Sequence, residues 1–194
     1  MANIVISGLT SAGKTTHARV LARRFNLRYV SASELLLVEA GYEPRELLQD
    51  FWITDESQTL RRLGSIEDRL LALERDDVPT IFDSFFFAWI HERPSLKLWL
   101  ESDVRSRTYK AIVSHIQLPT FNSDELADRI AAKDADAARR LHELTGADLF
   151  ADRSPFQEVV DLSALIDQPT LEASKTSIKR ADELISPIVS RFLN

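Results

Sequence analysis

The chain has 194 residues and carries 24 Lys and Arg against 30 Asp and Glu, a formal net charge of −6. This acidic balance argues against broad binding to nucleic acid or to an anionic membrane surface. The absence of Cys excludes disulfides, thiolate zinc sites and cysteine nucleophiles. The length suits one domain, and without a long uncharged apolar run or an apolar N-terminal leader we expect a cytoplasmic protein with no membrane partner.

The first predicted strand, residues 3–7, leads into a glycine-rich loop and then a helix over residues 15–24. The loop has the sequence GLTSAGKT, which is the pattern of a P-loop. Its glycines let backbone N–H groups converge on a polyphosphate, Lys14 can reach the β and γ phosphates, and the Thr15 hydroxyl can ligate Mg²⁺. A plain glycine turn would explain neither Lys14 nor Thr15. We therefore predict ATP and Mg²⁺ as cofactors, bound by Gly8, Ser11, Ala12, Gly13, Lys14, Thr15 and Thr16.

Beyond the loop, short apolar runs that are typical of buried strands alternate with longer segments of helical periodicity. The predicted strands are 28–31, 80–83, 95–100 and 158–162, and the predicted helices are 33–37, 55–77, 103–115, 122–145 and 170–192. Such alternation predicts a parallel sheet with ligands at the carboxyl ends of its strands. We expect an α/β P-loop NTPase three-layer fold with a five-stranded parallel sheet and a helical lid insertion. Residues 1–194 would form a single P-loop kinase domain, with an acceptor-binding helical region at about 33–77 and a lid region at about 117–152.

Four segments together resemble the nucleoside monophosphate kinases, and within them the cytidylate kinase-like family: residues 8–15, 29–32, 96–100 and 144–148. The resemblance runs over nearly the whole chain. It implies a core sheet, an acceptor-binding helical region and an arginine-rich lid that closes over ATP.

The resemblance also implies roles for basic residues in the second half of the chain. Arg105 falls where the family keeps a basic residue, and Lys133, Asp136 and Arg140 resemble its Arg/Asp/Arg lid pattern, with Lys as the first member. On that basis Lys133 and Arg140 are predicted to be catalytic, whereas Arg105 and Asp136 are predicted to bind substrate. The alternative for Lys133, Arg139 and Arg140 is a solvated helix face paired with neighbouring acids.

The acceptor side departs from the family. Leu37 stands where the family has an arginine, and Phe85 stands where it has a second one, after the third strand. A phosphate dianion needs cationic donors, which leucine and phenylalanine do not supply. We expect Ser33, Leu37 and Phe85 to line the acceptor pocket. Either another arginine binds the acceptor phosphate there, or the acceptor is not a standard nucleoside monophosphate. The candidate arginines are Arg61, Arg62, Arg69 and Arg93.

Asp83 ends the third predicted strand, beside the P-loop. There it can hold Mg²⁺ together with Thr15, or accept the proton of an attacking hydroxyl. The alternative is an N-cap for a helix beginning near Ser84. The following Phe86 and Phe87 are expected in the core, and the four histidines are expected in packing or surface roles because none has metal-ligand spacing.

Three hypotheses follow, and in each we expect a monomer or a small homo-oligomer. The first two require a small-molecule phosphoryl acceptor. The first is a nucleoside monophosphate kinase of the cytidylate kinase type. The second is a nucleoside or other small-molecule hydroxyl kinase with Asp83 as base. The third is a nucleotide-binding protein without phosphotransfer, for which the altered acceptor side is the motivation.

Overall fold

The computed structural model describes residues 2–39, 63–93, 95–114 and 122–194. The strands are β1 (Asn3–Gly8), β2 (Arg28–Ser31), β3 (Thr80–Asp83), β4 (Ser95–Glu101) and β5 (Glu158–Asp161). The helices are α1 (Lys14–Phe25), α2 (Ala32–Glu39), α3 (Leu63–Arg75), α4 (Phe87–Ile90), α5 (Val104–Ser114), α6 (Ser123–Thr145) and α7 (Leu171–Leu193). A short 3-10 helix, Ser163–Leu165, follows β5.

The five strands form one parallel sheet in the order β2-β3-β1-β4-β5. With β1 at the centre, the loop that follows Gly8 emerges between the carboxyl ends of β3 and β4. Ile6 of β1 is in register with Asp83 of β3, so the carboxylate lies one strand away from the start of the loop. The predicted five-stranded parallel sheet is confirmed.

The core occupies both faces of the sheet because strand side chains alternate. In β1, Ile4 and Ile6 face a cluster built with α1 and α7, whereas Val5 faces a cluster built with α2, α3, α4 and α6. In β4, Leu98 joins the first cluster and Trp99 the second. Strands buried on both faces carry continuous apolar runs, which is why the sequence marked them as central strands. The result is the predicted three-layer arrangement.

Side-chain caps explain why the helices of the second half begin where they do. Asp103 accepts a hydrogen bond from the Ser106 N–H at 2.7 Å at the start of α5. Asn122 and Glu125 form a reciprocal capping box at the start of α6, with the Glu125 N–H donating to Asn122 Oδ1 at 2.8 Å. These starts agree with the predicted ones.

Several predictions fall wholly or partly outside the described residues. Residues 40–62 of the acceptor-binding region at about 33–77 are outside, and with them Arg61, Arg62 and the part of the 55–77 helix that precedes Leu63. His115 and the first residues of the lid region at about 117–152 are outside as well. In the described ranges, none of the helices combines the length and the apolar character needed to cross a membrane.

Candidate active site at the phosphate loop

The phosphate loop, residues 8–15, depends on its two glycines. At Gly8 an added Cβ would lie 2.7 Å from the Leu100 carbonyl oxygen of the neighbouring strand, which leaves no room for a side chain. At Gly13 the backbone has φ of 105°, a conformation that residues with a Cβ rarely adopt. The loop is closed by a hydrogen bond from the Ala12 N–H to the Leu9 carbonyl at 3.1 Å. The loop is therefore tight, and the two glycines at its ends permit the backbone geometry that a polyphosphate requires.

Lys14 begins α1 and folds back over the loop. Its Nζ donates to the carbonyl oxygens of Gly8 at 2.9 Å and Leu9 at 2.8 Å. Burial lowers the pKa of the ammonium, and the negative charges of Asp83 and Asp134 raise it again. The ammonium thus lies at the mouth of the loop between two carboxylates, where an anionic phosphate can contact it.

Asp83 contacts the loop through Thr15. The Thr15 hydroxyl donates to Asp83 Oδ2 at 2.6 Å, and the Tyr29 hydroxyl donates to the same oxygen at 3.2 Å. Asp83 is 4% exposed, and this burial raises the pKa of its carboxyl, while the Lys14 charge and the two hydrogen bonds oppose that rise. A hydroxyl and a carboxylate so close together are the hard oxygen ligands that Mg²⁺ prefers.

Asp83 does not cap the short helix that follows. Ser84 does so instead, since its Oγ accepts from the Phe86 N–H at 3.3 Å and from the Phe87 N–H at 3.2 Å. Asp83 therefore does not have the alternative N-cap role, and its carboxylate accepts the hydrogen bond from Thr15 instead.

Two side chains that the sequence analysis did not single out hold the crest of the loop at Thr10. Asp134 of α6 accepts from the Thr10 N–H at 2.8 Å, and Arg107 of α5 donates to the Thr10 carbonyl at 3.1 Å. Arg107 and Asp134 also form an ion pair with each other. One turn along α5, Lys110 donates to the Ala12 carbonyl at 3.2 Å. The loop is thus tied to both helices.

The acceptor side is formed by the carboxyl ends of β2 and β3 with α2. Two of the three residues predicted to line it, Leu37 and Phe85, are apolar. Ser33 is exposed, Leu37 is buried at 4% exposure, and Phe85 is half-buried with its ring 5.1 Å from that of Phe86. Leu37 thus packs inside the protein, whereas Ser33 and Phe85 remain candidates for contact with an acceptor. The core positions predicted for Phe86 and Phe87 are confirmed by exposures of 1% and 0%.

The two candidate arginines that the structure describes are engaged away from Asp83. Arg69 pairs with Glu39 at 3.5 Å. Arg93 precedes β4, at the amino end of the sheet, and donates to the Glu74 carbonyl at 3.3 Å. Neither has a described hydrogen bond or ion pair with Asp83, and Arg61 and Arg62 lie outside the described residues.

No protein-family model matches the sequence. Part of the chain is similar to the shikimate kinase of Geobacter sulfurreducens, with 28% identity over 74 residues, 36% of this chain and 41% of that protein. The match thus spans about two fifths of the length of that curated relative.

Solved structures match over almost the full chain. An uncharacterised protein from Eubacterium ventriosum matches with a TM-score of 0.59 and 11% identity, covering 98% of this chain and 99% of that one. The shikimate kinase of Acinetobacter baumannii in complex with shikimate matches with a TM-score of 0.52 and 14% identity, covering 96% and 94%. The shikimate kinase of Bacteroides thetaiotaomicron matches with a TM-score of 0.52 and 15% identity, covering 95% of this chain and 98% of that one. The fold is the α/β P-loop fold that these shikimate kinases share. The narrower cytidylate kinase-like assignment stays a prediction.

The family resemblance predicted site residues in the second half of the chain. In this fold they lie close in sequence to Arg107 and Asp134, which contact the phosphate loop. Arg105 is exposed, and its Nε donates to the Tyr109 hydroxyl at 3.0 Å, whereas Arg107, two residues later, faces the loop. Asp136 pairs with Arg139 and with Arg140, whose Nε lies 3.0 Å from Asp136 Oδ2. Of this set Arg139 is exposed, whereas the Arg140 and Asp136 side chains are 15% and 18% exposed, so their pair is not a solvated one. The catalytic and substrate-binding roles of Lys133, Arg140, Arg105 and Asp136 stay predictions.

The periodicity of α6 contains the signal that would have identified Asp134. Its buried positions are Leu126, Ile130, Asp134 and Leu141, which lie on one face of the helix. An aspartate in an otherwise apolar stripe needs a partner, and the partners are Arg107 and the Thr10 N–H. Lys133, the neighbouring lid residue, is half-buried.

The histidines in the described part of the chain follow the predicted pattern of packing or exposure. His17 is buried beneath Gly13, His91 is buried with its Nδ1 2.8 Å from Glu74 Oε1, and His142 is exposed on α6. Within the described ranges, no group of three or more His, Asp or Glu side chains is arranged to hold a metal. The candidate metal ligands remain Thr15 and Asp83.

Proposed function

We propose that the protein is an ATP- and Mg²⁺-dependent phosphotransferase that acts on a small-molecule acceptor. The observation that carries this proposal is the 2.6 Å contact between the Thr15 hydroxyl and Asp83, next to Lys14 in an intact phosphate loop. Phosphoryl transfer asks a protein chiefly to position the reactants and to neutralise charge on the transferred group. The loop N–H groups, the start of α1 and Lys14 supply both.

The donor set fits Mg²⁺. Thr15 Oγ1 and Asp83 Oδ2 are oxygen ligands, and Mg²⁺ is usually held by one or two protein oxygens, several waters and the substrate phosphates. When bound, the ion would neutralise charge on the β and γ phosphates. Gly8, Ser11, Ala12, Gly13 and Thr16 would contribute by shaping the loop around the nucleotide.

The similarity to shikimate kinases supports a small-molecule acceptor. The sequence match covers 36% of this chain, and the solved relatives share the fold at 14 and 15% identity, so they do not name the acceptor here. A cytidylate-like nucleoside monophosphate remains the first candidate, on the resemblance of residues 8–15, 29–32, 96–100 and 144–148.

A hydroxyl acceptor is the second candidate, and the surroundings of Asp83 favour it. The carboxylate is buried and burial raises its pKa, while the described contacts of Arg69 and Arg93 are with Glu39 and Glu74. In this reaction the acceptor oxygen bonds to the γ-phosphorus, the bond between that phosphorus and the β,γ-bridging oxygen breaks, and the hydroxyl proton passes to Asp83. The products are the phosphorylated acceptor and ADP.

The test is ADP release from Mg-ATP against a panel of nucleoside monophosphates, nucleosides and other alcohols, with products identified by mass. A diphosphate product supports the first candidate, and a phosphomonoester formed from an alcohol supports the second. ATP binding without product from any acceptor would favour a nucleotide-binding protein that does not transfer phosphate. Lack of ATP binding would overturn the proposal.

Lys14→Ala is the decisive variant for this proposal. We expect it to abolish transfer while the protein remains folded, with a lower melting temperature because the ammonium donates to two loop carbonyls and its charge acts on Asp83 and Asp134. Lys179→Ala, an exposed lysine on α7, is the matched control and should retain activity. Full activity of Lys14→Ala would contradict the proposal.

A further inference from the structure

We infer that Asp134 and Arg107 are positioning residues for the phosphate loop, and that they couple nucleotide binding to the docking of α6. The inference rests on the proposed function, because it assigns these side chains a part in binding ATP. It concerns residues outside the P-loop motif, since Arg107 lies on α5 and Asp134 lies on α6, 97 and 124 residues beyond Thr10.

Both peptide groups of Thr10 are tied to the pair. The N–H donates to Asp134 Oδ1 at 2.8 Å, and the carbonyl accepts from Arg107 Nη1 at 3.1 Å. The other oxygen of Asp134 is paired with the same Arg107 Nη1. The three contacts form a closed set, so the position of Thr10 depends on α5 and α6 at once.

Burial makes this set cooperative. Asp134 is 3% exposed and Arg107 is 5% exposed. Separating a buried ion pair leaves uncompensated charge in a poorly solvated environment, so the contacts are made or lost together. Because Asp134 shares its helix face with Leu126 and Ile130, movement of this part of α6 away from the protein breaks the hold on Thr10.

The loop on the other side of Thr10 is also held. Ser11 has φ of 60°, a left-handed conformation that is uncommon for a residue with a side chain, and the next carbonyl, that of Ala12, accepts from Lys110. A docked α6 therefore presets the backbone that would bind phosphate. By reciprocity, a nucleotide that binds the preset loop stabilises the docked position of α6.

Hydrogen–deuterium exchange on the full chain tests the coupling, with Mg-ADP or Mg-ATP added to one arm. We expect amides of the phosphate loop and of α6 to be protected together. Protection of the loop with unchanged exchange in α6 would overturn the coupling and leave the proposed function standing. Absence of protection in both segments would overturn the proposed function and the coupling with it.

Asp134→Asn separates positioning from simple stability. It keeps the shape of the side chain but removes the charge, and we expect loss of nucleotide-dependent protection in α6 and a rise of about tenfold in the KM for ATP, with the KM for the acceptor unchanged. Asp128→Asn, an exposed aspartate on the same helix, is the matched control and should behave as the parent. Equal KM values for ATP in Asp134→Asn and in the parent would refute the positioning role. If Asp134→Asn does not fold, the exchange experiment on the unmodified protein still decides.

Discussion

The phosphate loop and the acceptor side of the sheet differ in how their side chains are held. On the phosphate side, consecutive residues 8–15 supply the contacts, and Asp83, Arg107, Lys110 and Asp134 fix them from three other elements. On the acceptor side, Ser33 is exposed, Leu37 is buried, and Tyr29 is the side chain that reaches Asp83.

This difference reflects what each side must recognise. A polyphosphate is bound by backbone N–H groups and a few cations, whatever molecule carries it, so one short motif is sufficient. An acceptor is selected by a few contacts that come from separate parts of the chain. The following predictions test how far the two sides act separately, from the largest expected effect to the smallest.

Asp83→Asn should have the largest effect, because Asp83 lies where the two sides meet. We expect turnover to fall by about 10²- to 10⁴-fold, the range for loss of a group that transfers a proton. The affinity for ATP without Mg²⁺ should change little, since the loop N–H groups and Lys14 remain. Turnover and equilibrium nucleotide binding measured on the same preparation check this, with the exposed Asp77→Asn as control.

A Mg²⁺ titration of Asp83→Asn then distinguishes the two roles of the carboxylate. If Asp83 acts mainly on the metal, the Mg²⁺ concentration for half-maximal rate rises and excess Mg²⁺ restores part of the activity. If it acts as a base, saturating Mg²⁺ restores nothing. Unchanged turnover would contradict both roles.

His17 should make the phosphate side sensitive to acid. Burial, together with the nearby Lys110 charge, lowers the pKa of His17 from 6.5 to about 4. Between pH 6.5 and pH 4 the unfolded chain therefore binds more protons than the folded protein. The contribution of neutral His17 to the free energy of unfolding is fully present above pH 6.5 and is lost as the pH falls toward 4. The difference in pKa corresponds to about 3 kcal/mol.

The measurement is the free energy of unfolding from pH 7 to pH 4 in the parent and in His17→Gln. The variant should lose about 3 kcal/mol less than the parent across that range. His142→Gln, which removes an exposed histidine, should follow the parent. Identical acid profiles for His17→Gln and the parent would show that burial of His17 is not a source of the acid sensitivity.

The strand–loop–helix geometry of the phosphate side could be predicted from the sequence because its determinants are local. The glycines, Lys14, Thr15 and the strand–loop–helix context lie within one short stretch, and the run from Thr80 to Asp83 marks its neighbour strand. The parallel direction of the strands could also be anticipated from the alternation of strands and helices. These features follow from backbone chemistry and hydrophobic periodicity, which a single sequence contains.

The contacts between distant elements could not be predicted in the same way. Family resemblance pointed to Arg105 and Asp136 as substrate-binding residues, which stays a prediction, and did not single out Arg107 and Asp134, which contact the loop and lie two positions away in each case. A shift of two residues on a helix turns a side chain by about 200°, so the register decides which charge faces the loop. That register depends on how α5 and α6 pack.

Gly8→Ala should damage the phosphate side through sterics alone. The new Cβ would meet the Leu100 carbonyl oxygen at 2.7 Å, and this oxygen belongs to the backbone of a neighbouring central strand, which cannot move aside easily. We expect a loss of about 2 kcal/mol in the free energy of unfolding, together with weaker ATP binding. Gly146→Ala is the control for backbone strain without a steric clash. Its φ of 75° disfavours a residue with a Cβ, but a Cβ there meets nothing within 4 Å. A Gly8→Ala variant with the parent's ATP affinity would show that this close approach does not shape the loop.

Tyr29→Phe should have the smallest effect and should be confined to catalysis. The hydroxyl donates to Asp83 Oδ2 at 3.2 Å, and its removal leaves the carboxylate with Thr15 as its remaining hydrogen-bond donor among the described contacts. One such bond is worth about 1 kcal/mol, so turnover should fall about fivefold. The KM for ATP should change less than turnover, because among the described hydrogen bonds the Tyr29 hydroxyl reaches the loop residue Thr15 only through Asp83. Tyr109→Phe, which removes the hydroxyl contacted by Arg105, is the control. If Tyr29→Phe weakened ATP binding as much as it lowered turnover, the two sides would not be separable at Asp83.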